Sequence, residues 1–484
     1  MLAYRGARLP LHPQALVVAA IAGSALAGAA MAHSVQLGVA VVVALCFGPL
    51  VLVDLPLGLV LWIPSTSLIA VSVLDVGPNL AGILILFTWL GALAMGYSTV
   101  PTALLQSARL LWLAGALVFW VVLSVAWEQR SVPPGHIVVN WLVVGAIMLV
   151  IPATIADRRH VRLAIGAMVA GVVASIGIGF FGGGLQAESD RLVGGSGDPN
   201  FLAAGCVPAI VLATALGAGT ERRVVRLALA AAAALATIGV AASESRGGLL
   251  AAIVAAVGAI VLIKHARARI IAFVLYIVAV AVVYFSLNPA AWQRIVSFKD
   301  DSGRGELWSV AWHMWQDHPL VGVGLDGFLA GVGDYARDLG PLKYAEFLTE
   351  RPKYVHNTFL EVLVETGVVG LVLYLLVVAA CLRCAWRAAQ RFEELRDPAM
   401  ATLARALIVS VLAMLTAAFF ISGATDRRLW VLLALGPALL AAARATNRPS
   451  SPPAPAPASA AVRTHPASDF WSPGGSGRRT VGDR

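Results

Sequence analysis

Two arginines and a histidine stand in polar stretches that interrupt an otherwise apolar sequence. The first arginine, Arg246, lies between two strongly apolar runs, in the stretch Ser243-Glu244-Ser245-Arg246-Gly247-Gly248. A guanidinium beside the free backbone N–H groups of a helix N-terminus can bind a phosphate. An arginine at the membrane interface that extends toward lipid phosphate would explain this motif equally well.

The second arginine, Arg304, occupies a similar position. It belongs to the stretch Gly303-Arg304-Gly305-Glu306-Leu307-Trp308 and comes just before a predicted helix. Two arginines at two helix starts on one side of a membrane would form a clamp for a pyrophosphate, because each can donate two parallel hydrogen bonds. The alternatives are an exposed ion pair between Arg304 and Glu306, or a solvated loop charge.

The histidine, His356, comes just before a long apolar run. It begins the stretch His356-Asn357-Thr358-Phe359-Leu360-Glu361, and Glu365 follows one helical turn after Glu361 on the same face. A histidine can accept a proton from a hydroxyl near neutral pH. Carboxylates at the edge of an apolar layer need partners or a water-filled cavity. Alternatively, Asn357 or Thr358 caps a helix and His356 is only a boundary residue.

A glycine pattern in the same region resembles a nucleotide-binding motif but predicts something else. Gly322, Gly324 and Gly327 fit the spacing GxGxxG. Dinucleotide binding requires this pattern between a strand and a helix of a βαβ unit, which the sequence does not predict. We therefore expect a turn that allows close approach of two backbones, and we expect neither a cofactor nor a metal.

The elements that must position these residues are membrane-spanning helices. The chain has 484 residues, of which 59% are hydrophobic and 13% charged, and such a composition excludes a single soluble core. Apolar windows of bilayer-crossing length predict an all-α polytopic membrane protein. Roughly 14 spans are expected, or about 12 if weak early ones merge. The predicted spans cover residues 15–31, 35–53, 57–74, 80–96, 109–127, 136–155, 161–181, 201–219, 224–242, 247–263, 270–286, 357–381, 402–421 and 428–443.

The distribution of arginine and lysine predicts the orientation. The net charge is +9, but the charges flank apolar runs rather than forming one basic face, which argues against nucleic acid. One set of loops is rich in basic residues and is predicted to be cytoplasmic. The opposite loops hold few, among them Arg130 and the pair Arg427–Arg428. Both termini are then cytoplasmic, and the polar motifs face outward from a bacterial inner membrane.

The predicted organisation has four parts. Residues 1–286 form N-terminal transmembrane helices, 287–355 a large extracytoplasmic loop, 356–446 C-terminal transmembrane helices, and 447–484 a disordered cytoplasmic tail. A short amphipathic helix is expected in the loop from near Gly305, where tryptophans recur at helical spacing. It would lie flat over the outer mouth, either in the membrane interface or packed on the bundle.

Four stretches in this order resemble the O-antigen ligase family, which also contains polysaccharide polymerases. The resemblance covers residues 190–380 best and rests on order and spacing rather than on any one motif. The stretches are Arg191 with Asp198-Pro199-Asn200-Phe201; Ser245-Arg246-Gly247-Gly248; Gly303-Arg304-Gly305-Glu306-Leu307-Trp308 with His318-Pro319-Leu320-Val321-Gly322-Val323-Gly324; and His356-Asn357-Thr358-Phe359-Leu360-Glu361 with Glu365-Thr366-Gly367-Val368-Val369-Gly370.

This resemblance implies a metal-independent, inverting glycosyltransferase of lipopolysaccharide or polysaccharide biosynthesis. The donor would be a glycan on undecaprenyl pyrophosphate, held by Arg246 and Arg304. His356 would activate a hydroxyl of the acceptor, which would be a glycan, lipid A–core or another hydroxyl compound. Arg191, Asp326 and Glu361 are candidates for positioning roles.

Three other functions remain open at this stage. A polymerase of the same family would use the same donor and differ only in its acceptor. A transporter is a second class, because some relatives carry labels of inorganic-carbon transport; it would require ionisable groups near the bilayer centre and repeated half-helices. A scaffold in an envelope-assembly complex would need neither His356 nor the arginines.

Overall fold

The computed structural model describes most of the chain up to residue 445. The described residues are 13–68, 77–95, 108–128, 135–182, 191–263, 267–296, 303–338 and 353–445. The chain divides into two units, residues 1–446 and 447–484. The second unit, where the sequence predicts a disordered cytoplasmic tail, lies outside the described residues, as does Arg130.

The described part of the chain is built from α-helices and contains no β-strand, which confirms the predicted all-α membrane fold. The helices are α1 (Pro13–His33), α2 (Val35–Val53), α3 (Leu55–Trp62), α4 (Gly77–Ala94), α5 (Ala108–Leu123), α6 (Gly135–Thr154), α7 (Arg158–Phe181), α8 (Pro199–Ala218), α9 (Arg223–Ala242), α10 (Arg246–Leu262), α11 (Arg267–Leu287), α12 (Pro289–Val296), α13 (Arg304–Asp317), α14 (Gly327–Asp338), α15 (Thr358–Glu394), α16 (Pro398–Ala418) and α17 (Arg427–Ala445).

Eight of these helices are long and apolar enough to cross a membrane. In the described ranges they are α5 with the 3-10 turn that follows it, α6, α7, α8, α9, α15, α16 and α17. Six shorter apolar helices coincide with the remaining predicted spans. The multi-pass architecture therefore matches the sequence, although α3, which ends at Trp62, is much shorter than its predicted window of 57–74.

The most enclosed helix is α17, with α8 and α16 beside it. In α17, 89% of the most apolar window is buried inside the protein, compared with 28% in α5. Tyr374 of α15 packs edge-on against Trp430 of α17, which in turn packs edge-on against Trp141 of α6. These aromatic contacts fix α17 between α6 and α15, so its first residues have little freedom to move.

A break in α15 receives the loop that carries the glycine pattern. Gly367 has φ +68° and ψ −173°, which interrupts the helix. The backbone of residues 319–324 lies against this break; for example, Gly324 N–H donates to the Glu365 carbonyl at 2.9 Å. A Cβ on Gly322 would lie 2.4 Å from the Glu365 carbonyl carbon, and one on Gly367 would lie 2.1 Å from the Leu320 carbonyl oxygen. The glycines therefore allow the close approach of backbones that the sequence predicts.

The loop helices α13 and α14 form a second, smaller core on the same end of α15. Leu307, Val310 and Met314 of α13 are buried against Phe328 of α14 and Val364 of α15. The predicted helix near Gly305 is thus present. Of the two placements left open, its apolar face packs on protein.

Candidate functional site

Arg246 is the first residue of α10, as predicted. The side chain of Ser245 caps this helix and accepts a hydrogen bond from the Gly248 N–H at 3.2 Å. The two glycines also have packing roles, since a Cβ would lie 2.8 Å from Phe420 at Gly247 and 2.5 Å from Ala203 at Gly248. The idea that both glycine N–H groups are available to an anion is therefore wrong for Gly248, and the exposed Arg246 side chain is the cationic group that this turn presents.

Arg191 stabilises the turn that precedes Arg246 through hydrogen bonds. Its Nε donates to the Ser243 carbonyl at 2.8 Å, and its guanidinium also donates to Asn200 Oδ1 at 3.4 Å. Asn200 Oδ1 in turn accepts from the Ser245 hydroxyl at 2.9 Å. The geometry of Arg191 is that of a positioning residue, because it binds the backbone and amide groups that hold Arg246.

Asp198 brings a carboxylate into the same region. It caps α8 by accepting hydrogen bonds from the backbone N–H groups of Asn200 at 2.7 Å and Phe201 at 3.0 Å. Its negative charge acts on both Arg304 and His356. Asp198 belongs to a motif noted in the sequence, but sequence reasoning gave it no role.

Arg304 begins α13 after Gly303, whose φ of +71° lies in the left-handed region that favours glycine. Burial lowers the pKa of the Arg304 guanidinium, the Asp198 carboxylate raises it, and the Arg246 cation lowers it. This influence of Arg246 shows that the two predicted arginines lie near each other. Two cations that influence each other electrostatically favour a ligand with more than one negative charge.

Trp308 connects the arginine helix to the histidine. Its indole N–H donates to the Val355 carbonyl at 3.1 Å, one turn beyond Arg304 on α13 and one residue before His356. Val355 is itself buried in the small core under α13. The relative placement of Arg304 and His356 is therefore fixed by packing and by a hydrogen bond, not only by the chain between them.

His356 adopts a left-handed backbone conformation, with φ +53°. Such a conformation is uncommon for residues other than glycine and occurs often at functional sites. The His356 N–H donates to Ser422 Oγ at 2.9 Å. Asn357, not Thr358, caps α15 by accepting from the Phe359 and Leu360 N–H groups. Helix capping and a separate role for His356 are thus compatible.

The electrostatic surroundings keep His356 suited to accept a proton. Burial lowers the pKa of its imidazole, and the Arg304 and Lys353 cations lower it further, while the Asp198 carboxylate raises it. The neutral imidazole therefore persists below the pH at which an exposed histidine becomes protonated. A neutral imidazole can act as a general base.

The turn formed by residues 421–424 is hydrogen-bonded to the start of α15 and to the backbone of His356. The Thr358 hydroxyl donates to the Ile421 carbonyl at 2.8 Å and accepts from the Gly423 N–H at 3.0 Å. The Glu361 carboxylate accepts hydrogen bonds from the Ser422 hydroxyl and from the Ala424 N–H. Ser422 therefore links the backbone of His356 to the carboxylate of Glu361.

A second carboxylate approaches Glu361 from the loop. Asp326 is 2% exposed, has φ +61°, and its charge acts on Glu361. Glu361 Oε2 is buried without a hydrogen-bond partner among the described residues. The structure thus brings two of the predicted positioning residues together beneath His356, while Arg191 acts at the other side, near Arg246.

A buried ion pair anchors the same turn from its other end. Arg428 and Asp426 are 4% and 7% exposed and form a two-point contact, with Nε–Oδ1 at 3.0 Å and Nη2–Oδ2 at 2.6 Å. Arg428 also donates to the Phe201 carbonyl of α8 at 2.8 Å. A Cβ on Gly205 would lie 2.7 Å from this guanidinium. The sequence predicted only that Arg428 belongs to an outer loop with few basic residues, and the structure shows that it is a buried arginine.

Arg246, Arg304 and His356 therefore come together at one end of the bundle, here called the site end. The main residue missed by sequence reasoning is Ser422, which lies in a short polar stretch between two apolar runs and carries no motif. Asp426 was missed for the same reason. A small polar loop on the predicted outer side was the available signal, but it does not identify a partner for His356.

Residues 231–375 match the family model described as O-antigen ligase. This segment of the chain is similar to the O-antigen ligase family. The matched segment begins within α9 and ends within α15. It includes Arg246, Arg304, Asp326, His356 and Glu361. No curated protein matches the chain. The family supports a membrane glycosyltransferase of ligase or polymerase type that acts on glycans or lipid-linked substrates.

Proposed function

We propose that this protein transfers a glycan from undecaprenyl pyrophosphate to an acceptor hydroxyl at the outer face of a bacterial inner membrane. The observation that carries the proposal is the joint placement of Arg246, Arg304 and His356 at the site end. Cations that hold a diphosphate next to a neutral imidazole are what such a transfer requires.

The proposed reaction assigns one step to each of these positions. The acceptor oxygen attacks the anomeric carbon of the donor sugar, and His356 takes the proton of the hydroxyl. The bond from the anomeric carbon to the pyrophosphate oxygen breaks, and the lipid pyrophosphate leaves with the electron pair. Attack opposite to the leaving group inverts the anomeric carbon. Arg246 and Arg304 stabilise the negative charge that develops on the pyrophosphate, so the residues supply the chemistry without a metal or a cofactor.

The positioning residues divide between the two halves of the reaction. Arg191 holds the turn of Arg246 through Asn200 and the Ser243 carbonyl. Glu361, with Asp326 beside it, holds Ser422, which holds the His356 backbone. We propose that Arg191 acts on donor binding and that Asp326 and Glu361 act on the orientation of the base.

Reconstituted transfer tests this function most directly. His356→Ala should abolish transfer from a synthetic undecaprenyl-pyrophosphate glycan, while insertion in the membrane remains normal. His356→Asn is the matched variant, because asparagine tolerates a left-handed backbone and cannot act as a base. Transfer at wild-type rates by His356→Asn would contradict the proposal. Profiling surface glycans in a deletion strain separates the two acceptors: accumulated long lipid-linked chains indicate a ligase, and single repeats a polymerase.

A further inference from the structure

A lateral groove lies on the membrane-facing side of the N-terminal helices. It has a volume of about 220 Å³ and is lined by residues of α3, α4, α6 and α17. Ile83 and Leu142, two of its lining residues, are 45% and 53% exposed. Since these apolar side chains stand on helices at membrane depth, the groove opens toward the hydrocarbon of the bilayer.

The groove has one cationic lining residue, Arg427, among its described walls. The Arg427 guanidinium also contacts Asn140 Oδ1 at 3.4 Å. Asn140 is next to Val139, the lining residue nearest the start of α6, so Arg427 lies at that end of the groove. Along α6 the lining continues to Ile151. The apolar part is therefore about 18 Å long, at 1.5 Å per helical residue.

This length matches one leaflet. The hydrocarbon core of a bilayer is about 30 Å thick, so a chain from one leaflet extends about 15 Å into it. Arg427 follows the 421–426 segment that supports His356, so the charged end of the groove is at the site end. A lipid in the groove would have its headgroup in the same leaflet as the reaction and its chain toward the bilayer centre.

The groove is separate from the proposed clamp of Arg246 and Arg304. Arg428 points toward Phe201 of α8, whereas Arg427 points toward Asn140 of α6. Neighbouring residues of a helix differ in direction by about 100° at 3.6 residues per turn. The groove thus lies on a different side of α17 from the contact between Arg428 and α8. Asp198, which acts on Arg304, caps α8.

We propose that this groove binds one chain of a phospholipid with an anionic headgroup, whose phosphate Arg427 contacts. The charge of Arg427 selects the headgroup, and the apolar slot between α4 and α6 receives the chain. Phospholipid is the most abundant ligand for a groove that opens to the bilayer, so it occupies the site by mass action. By holding α17 against α6, this lipid stabilises the helix into which the 421–426 segment leads.

Lipid retention by the purified full-length protein tests the proposal. Native mass spectrometry would follow phosphatidylglycerol and phosphatidylcholine with identical chains after exchange in detergent. The wild type should retain one phosphatidylglycerol in preference to phosphatidylcholine. Arg427→Gln should reduce this preference roughly tenfold, because the cation no longer favours the net negative headgroup of phosphatidylglycerol over the zwitterionic headgroup of phosphatidylcholine. Ala146→Phe, which fills the middle of the groove, should reduce retention of both lipids.

Two matched variants control for charge and bulk. Arg337→Gln removes an exposed arginine of α14, and Ala230→Phe adds a ring on the exposed face of α9; both should retain lipid as the wild type does. Equal retention of the two lipids, or unchanged retention in Arg427→Gln and Ala146→Phe, would overturn the proposal. Displacement of phosphatidylglycerol by undecaprenyl phosphate at equal concentration would also overturn it. Glycan transfer is measured separately, so failure here leaves the proposed function standing.

Discussion

The hydroxyl oxygen of Ser422 accepts a hydrogen bond from the backbone N–H of His356 at 2.9 Å. The same hydroxyl donates to the Glu361 carboxylate. Ser422 is 66 residues from His356 in the chain, so the proposed base depends on a turn between α16 and α17 that lies outside the matched family segment. The left-handed backbone of His356 is held in place by this contact and by the capped start of α15.

Removing the Ser422 hydroxyl should slow transfer without preventing donor binding. Ser422→Ala loses a hydrogen bond worth about 1 kcal/mol and leaves His356 less well oriented. We expect kcat to fall roughly tenfold to a hundredfold with little change in KM, because small displacements of a catalytic group have effects of this size. Steady-state kinetics in proteoliposomes would measure it. Ser422→Thr, which retains a hydroxyl, should recover most of the rate; equal loss in both variants would argue against this orienting role.

Lys353 and Asp198 are two charges near His356, and removing one or the other should shift the pH profile of activity in opposite directions. The base must be neutral, so activity is lost as pH falls through the pKa of His356. Lys353 lowers that pKa, so Lys353→Gln should raise it and move the acidic limb to higher pH. Asp198 raises the pKa, so Asp198→Asn should move the limb to lower pH.

Asn is chosen at position 198 because it caps a helix as well as Asp does. The measurement for both variants is kcat against pH in the same membrane preparation. Shifts in one common direction would show that His356 does not set the acidic limb.

Lysine should be unable to substitute functionally for either arginine of the proposed clamp. Arg246→Lys and Arg304→Lys keep the charge but lose the two-pronged donor. Each should reduce kcat/KM by about tenfold to a hundredfold, the equivalent of one lost charge-assisted hydrogen bond. Arg337→Lys, at an exposed arginine paired with Asp334, is the matched control and should behave as the wild type. Unimpaired use of donor by Arg246→Lys would remove Arg246 from the pyrophosphate site.

The Asp426–Arg428 pair should matter for stability more than any other ion pair described. Asp426→Asn leaves a buried guanidinium without its counter-charge, which typically costs about 3–5 kcal/mol. We expect a clear drop in the thermal unfolding midpoint of the purified protein. By contrast, Asp334→Asn removes only an exposed pair and should change stability by less than about 1 kcal/mol. Equal midpoints for the two variants would contradict the buried role.

The helical fold could be predicted from the sequence because the bilayer constrains it strongly. Uninterrupted apolar windows have few alternatives to a helix in lipid, and the loop helix near Gly305 follows from the spacing of Leu307 and Met314. The length of α3 was harder to predict, since the helix ends at Trp62 and is followed by a 3-10 turn that contains Pro64, which hydropathy does not reveal.

The site was predictable only in part, and for a physical reason. The sequence identifies Arg246, Arg304 and His356 because they are polar residues next to apolar runs, where charge is costly. Ser422 and Asp198 do not, because a serine in a turn and an aspartate at a helix start satisfy ordinary capping chemistry. The buried role of Arg428 could not be predicted, since the sequence does not show whether a charge at a helix start is solvated or paired with a buried carboxylate.

The contact between Gly322 and Gly367 limits how the matched segment can diversify in this chain. Neither position has room for a Cβ, and the loop backbone is bonded to α15 on both sides of the break. An insertion or deletion between His318 and Gly324 would shift this register and displace α13 together with Arg304. Variation that adapts the protein to a different acceptor must therefore arise beyond Asp326, in a segment whose length is not tied to the break in α15.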